Sequence, residues 1–166
     1  MGVIACTGCS HDFDDAVILM RVKDMPQKLD GEQVVLTDSQ VDCGVQKELW
    51  EAPAPLGDKR VARLLPAARD LKFFDDVIIE KSGNGSAQIR GDILLDLMPP
   101  YKTTDAGQGV KMVTAKVGAI INHSCFTSSL PIMGVRKGEF SPDAPVQMRY
   151  VPTADGKDWA FDRIVH

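Results

Sequence analysis

Residues 110–121 run Val-Lys-Met-Val-Thr-Ala-Lys-Val-Gly-Ala-Ile-Ile. Val113, Ala115, Val117, Ala119 and Ile121 share one parity, with Met112, Thr114, Lys116 and Gly118 on the other. Successive side chains of a strand point to opposite faces of a sheet, so a period of two is the pattern of a half-buried strand. A helix would scatter the same residues around its axis. The period recurs downstream. Val146, Met148 and Tyr150 alternate with Gln147 and Arg149, and Trp159 and Phe161 with Ala160 and Asp162. These runs predict a β-rich scaffold.

Turn residues divide the remainder. Asp30-Gly31 reads as a turn before a strand at Gln33–Leu36. Phe74–Glu80 and Ala87–Leu97 read as hairpin arms joined by Ser82–Ser86. Pro99-Pro100 is expected to end the second arm, because proline has no N–H for the ladder. Thr103–Gly109 and Ser141–Pro145 read as polar loops, and Ile132–Val135 as a short strand. Ala16–Met20 and Ser39–Trp50 leave helix and strand both open. In the second segment Val41, Val45 and Leu49 recur at helical spacing, while Gly44 opposes a helix by about 1 kcal/mol.

The one substantial helix is expected at residues 58–72. Asp58 suits its N-cap, and Val61, Leu64, Leu65, Ala68 and Leu71 form an apolar stripe. Pro66 inside that stripe predicts a kink or two short helices. The fold expected is mainly β, at the margin of α+β. It is a single domain over residues 1–166, built as an antiparallel sandwich or barrel of about seven to eight strands.

Composition narrows the function classes. With 44% apolar and 25% charged residues the chain is ordinary for a globular protein. No run reaches the ~18 apolar residues of a membrane-spanning helix, and residues 1–20 lack a secretory pattern, so the expected location is intracellular or a virion. Residues 1–83 hold 10 Lys/Arg against 15 Asp/Glu, and residues 84–166 hold 9 against 8. A duplex nucleic-acid binder is usually basic, and this chain has a net charge of −4.

Cys6-x-x-Cys9-x-His11 is the sharpest local cluster, and His123-x-Cys125 is a second partial pair. Sulfur and imidazole suit zinc, so Cys6, Cys9, His123 and Cys125 form the candidate metal set, with Cys43 left over. Four cysteines without a signal peptide favour free thiols or metal over a disulfide framework.

Asn122-His123-Ser124-Cys125 resembles the Asn-His-Ser-Cys signature of SET-domain methyltransferases, and Lys137-Gly138-Glu139 resembles a later piece of that family. The Pro-Asn pair that usually follows the signature is replaced by Phe126-Thr127-Ser128. No functional residue is carried over from so short a match.

No catalytic set converges. Asp14-Asp15 and Asp75-Asp76 are adjacent doublets, which caps and strand ends explain without a shared site. The chain lacks a Gly-x-Ser-x-Gly elbow, and Gly83-Asn84-Gly85 lacks the Lys-Ser/Thr end of a phosphate loop. The reading that results is a non-enzymatic assembly protein that docks with protein subunits in a homo- or hetero-oligomeric complex. A small virion component of a bacteriophage, of connector, tail or capsid-decorating type, fits that description. Two alternatives stand beside it. One is a zinc-stabilised domain. The other is a single-strand nucleic-acid-binding barrel, stacking bases on aromatics such as Phe73, Phe126, Phe140 and Tyr150 beside Lys111 and Arg149.

Overall fold

The structure, a computed structural model, describes residues 10–80 and 84–166, with side chains from Asp15 onward. It is mainly β. Nine strands form one antiparallel sheet that does not close into a barrel, and two more form a separate ribbon.

The spine is β5 (Gly85–Asp105), far longer than either neighbour. Its first part pairs with β1 (Gln27–Leu36) from Gln27↔Ile93 to Leu36↔Gly85, and its second part pairs with β6 (Lys111–Ile120) from Leu94↔Ile120 to Asp105↔Lys111. β5 therefore passes from one half of the sheet to the other. Such a strand turns a corner by bulges and bends. Gly91 lies at the crossing with φ +107°, a conformation that disfavours any side chain.

β10 (Val146–Pro152) extends the second half alongside β6, and β11 (Trp159–Val165) forms its edge. The first half continues through β4 (Val77–Ile79), β3 (Lys59–Ala62) and β2 (Ala54–Leu56). β7 (Leu130–Pro131) pairs with β6, while β8 (Gly134–Arg136) and β9 (Glu139–Ser141) make the ribbon. β1 lies against β7 and β11, so the two halves face each other over one core.

The alternation of β6 is borne out: Val113, Ala115, Val117, Ala119 and Ile121 are all buried. Val146, Met148 and Tyr150 of β10 join them. Ile164 reaches the same core because Asp162 is an extra residue, standing between the pairs Arg149↔Arg163 and Tyr150↔Phe161.

The expected helix at 58–72 is corrected. Residues 59–62 are strand β3, and the only helical turn is α3 (Pro66–Asp70). Gly57, at φ +61°, and Asp58 form the two-residue turn between β2 and β3, so Asp58 caps no helix. Pro66 does not kink a helix but starts one, where its missing N–H costs nothing. The two ambiguous segments resolve as helices, α1 (Ser10–Asp24) and α2 (Asp38–Gln46). A capping box starts α2: Thr37 Oγ1 accepts from the Gln40 N–H at 3.2 Å, and Gln40 Oε1 accepts from the Thr37 N–H at 2.9 Å.

Three punctuation readings also change. Asp30-Gly31 is a bulge within β1, with Gly31 at φ +103°, rather than a turn. Pro99-Pro100 does not end its strand. Residues 99–101 bulge opposite Ala115, where no ladder N–H is needed, and pairing resumes at Lys102↔Thr114. Thr103–Asp105 is consequently strand, and the loop shrinks to a tight turn closed by the Ala106 N–H to the Val110 carbonyl at 2.8 Å.

Candidate functional site

Of the residues singled out for metal binding, His123 and Cys125 lie among the described residues. Cys6 and Cys9 lie outside the described residues. Cys125, just past β6, is joined to Cys43 of α2 by a disulfide across a sequence separation of 82. The expectation of free thiols is thus corrected for this pair: the fold brings α2 to the turn that follows β6, a tertiary neighbourhood that sequence spacing does not show. With its sulfur bonded to Cys43, Cys125 has no thiolate to offer a metal. His123 serves locally, its Nδ1 accepting from the Cys125 N–H at 3.1 Å and its ring packing 5.8 Å from Phe126. The Asn-His-Ser-Cys stretch is therefore a short turn pinned to the core. Among the described residues no three His, Cys, Asp or Glu side chains gather as a metal cluster.

The disulfide borders an aromatic cluster. Trp50, Phe73 and Phe126 meet with ring centroids 5.6–6.3 Å apart, and Trp50 Nε1 donates to the Val41 carbonyl at 2.9 Å. Phe73, Phe126 and Tyr150 are all buried. Of the residues named for base stacking these are core side chains, while Phe140 stays exposed on the ribbon. The Asp75-Asp76 doublet is structural: Asp76 Oδ1 accepts from the Leu64 N–H at 3.3 Å, and Asp75 Oδ1 from the Asp76 N–H at 2.9 Å.

Buried polar chemistry concentrates where α1 crosses the second half of the sheet. Asp105, Lys111, Tyr150 and Phe161 stand opposite one another in turn on β5, β6, β10 and β11, forming one row on one face. Lys111 has the inward parity of Val113 and is only 5% exposed. Its Nζ lies 2.5 Å from Asp105 Oδ1, 3.9 Å from Asp15 Oδ1 and 5.9 Å from the Trp159 ring centroid. Two carboxylates and a π face replace the water this ammonium gave up. α1 is further tied down by Arg21, which pairs with Asp158 and donates to the Trp159 carbonyl at 2.8 Å. Trp159 Nε1 donates in turn to the Gly109 carbonyl at 2.8 Å.

Two buried atoms in this region have no hydrogen-bond partner: Asp15 Oδ1 and the Tyr150 hydroxyl. Burial pushes the Tyr150 pKa well above the usual phenol range, so the hydroxyl remains a neutral donor. A buried donor left unmade costs about 1–3 kcal/mol. Chemically the cluster holds a neutral donor near one ammonium shared by two carboxylates. The cluster was not legible beforehand, because Lys111 reads as an exposed strand residue and Asp15 lies about a hundred residues away in sequence.

The opposite character appears at the end of the β5–β6 ladder, where β6 finishes. Leu94 and Ile120 stand directly across from one another and are 36% and 46% exposed. They line a shallow groove of about 380 Å3 whose floor is Pro26, Leu71, Ile93 and Ile121, with Asp70, Lys72, Asp92 and Asn122 also lining it. Among the described residues no helix is long and apolar enough to cross a membrane.

No protein-family model matches the chain, and comparisons with curated proteins and with solved structures give no match.

Proposed function

We propose that this chain is a non-enzymatic assembly protein that self-associates through the apolar groove around Leu94 and Ile120. The observation that carries the reading is that cross-strand pair. A solvent-facing sheet position ordinarily carries polar side chains, yet here two branched apolar residues sit opposite each other on the outside. Among the described residues, His123 is held in a turn, Cys125 in a disulfide, and Lys111 by two carboxylates. A second copy of the chain is the favoured partner, since most soluble oligomers are homo-oligomers built on one repeated patch.

The finer form of the proposal is a virion component of connector, tail or capsid-decorating type. The Cys43–Cys125 disulfide supports a virion surface or another oxidising setting over a reducing cytosol.

Sedimentation velocity over a range of concentrations tests the reading. The wild-type chain is expected to form a concentration-dependent oligomer, and Ile120→Lys is expected to leave a folded monomer. A wild-type chain that stays monomeric throughout, or an Ile120→Lys variant that associates equally well, contradicts it.

A further inference from the structure

We infer that the Cys43–Cys125 bond is a redox switch for self-association. With the disulfide closed, the groove around Leu94 and Ile120 is set to pair with a second copy; with both thiols free, it is not. The inference rests on the self-association reading and adds its regulation.

The groove straddles the end of a strand. Its β6 side is Ile120, Ile121 and Asn122. Ile120 is the last residue of β6 and pairs with Leu94, while Ile121 and Asn122 follow it off the ladder. Residues past the end of a ladder take their order from the turn they enter.

That turn runs into the disulfide. The His123 N–H donates to the Ile121 carbonyl at 2.9 Å, the Phe126 N–H to the His123 carbonyl at 2.9 Å, and the Cys125 N–H to His123 Nδ1 at 3.1 Å. These bonds close the turn on itself without fastening it to another element. The Phe126 ring fastens it by packing against Trp50 and Phe73, and the Cys125 sulfur fastens it covalently to Cys43 of α2. Reduction leaves the packing in place and removes the covalent limit on the turn, three residues beyond Asn122. A surface already ordered pairs at lower entropic cost than one that must be ordered on contact, so opening the bond weakens association without unfolding the core.

The switching step needs a dithiol. Its thiolate attacks one sulfur of the bond, which releases the other cysteine and forms a mixed disulfide. The second thiol of the reductant then attacks its own sulfur in that mixed disulfide and releases the remaining cysteine. Two electrons and two protons pass to Cys43 and Cys125, and the reductant leaves as its own disulfide.

Sedimentation velocity with dithiothreitol tests the switch, in a Cys6→Ser, Cys9→Ser background that leaves one cysteine pair to react. The oxidised protein is expected to associate, and to run as single chains when denatured without reductant. Reduction, verified by intact mass, is expected to weaken association about tenfold. Adding Cys43→Ser and Cys125→Ser is expected to give the same weak association, now indifferent to dithiothreitol. Circular dichroism at the assay temperature is expected to show the reduced chain folded. In NMR the Ile121 and Asn122 amide signals are expected to move on reduction while those of Val113–Ala119 hold. A folded, reduced chain that associates as tightly as the oxidised one, or whose Ile121 and Asn122 signals stay put, overturns the switch and leaves self-association standing. An oxidised protein that is monomeric throughout overturns both. A bond that resists dithiothreitol in the folded chain, or a reduction that unfolds the whole chain, makes the disulfide a plain staple and overturns the switch alone.

Discussion

A Cβ placed on Gly44 would lie 2.1 Å from the indole ring of Trp50. The glycine is therefore a packing requirement within α2. Intrinsic preference alone favours alanine there by about 1 kcal/mol. The contact reverses the sign, because overfilling a tight core costs about 1–3 kcal/mol. Gly44→Ala is expected to lower unfolding stability in chemical denaturation. A neutral or stabilised variant would mean that Trp50 has room to move.

The disulfide is open to direct chemical test. Intact mass and peptide mapping without reductant are expected to recover Cys43 and Cys125 as one linked pair. Closing so long a loop stabilises a fold chiefly by restricting the unfolded chain, typically by about 2–4 kcal/mol. Cys43→Ser with Cys125→Ser is expected to lose stability on that scale in denaturant melts. Finding both thiols free in protein prepared under oxidising conditions would contradict the pairing.

Tyr150 makes the fold sensitive to alkali. Its folded-state pKa is raised by burial above the ordinary value of 10.0. Below pH 10 both states keep the proton, so the full stability is present. Above that, the unfolded chain releases its proton first and stability falls as pH rises. Tyr150→Phe is expected to remove this share of the alkaline loss and, by deleting an unpartnered hydroxyl, to raise stability near neutrality by about 1 kcal/mol. A steeper alkaline loss in the variant would contradict the assignment.

Asp155, in the turn between β10 and β11, titrates below the usual carboxylate range. The Thr153 hydroxyl is the main cause, donating to Asp155 Oδ1 at 2.6 Å, and the Lys157 N–H adds to it at 3.1 Å. A depressed folded-state pKa contributes stability above the unfolded value and loses it as pH falls through the folded one. Thr153→Val is expected to move the Asp155 carboxyl titration, read by NMR, upward toward the ordinary value. An unchanged titration would show that the hydroxyl contributes nothing.

These sites differ in how far the sequence announces them. The β6 core strand was legible because period-two patterning is local and strong. The segment at 58–72 misled for a local reason as well: its apolar stripe fits a helix, but Gly57-Asp58 is a two-residue hairpin turn, and Pro66 fits the first turn of a helix better than its middle. Pro99-Pro100 misled because a bulge removes the very N–H requirement that makes proline a strand breaker. The Cys43–Cys125 bond and the Asp15–Lys111 contact lie beyond any local signal, since each joins elements that meet only in the folded chain. Lys111 carried a partial clue in sharing the inward parity of Val113. A charge at that parity requires a buried counter-charge, which strand patterning alone cannot supply.

The central claim is that copies of this chain meet at the outward Leu94–Ile120 pair, and an isotope-filtered NOE experiment reads it most directly. In a mixture of methyl-labelled and unlabelled protein, the Leu94 and Ile120 methyls are expected to show NOEs to protons of the unlabelled copies. NOEs confined to each molecule, with these methyls facing solvent at concentrations where the chain is oligomeric, would contradict it.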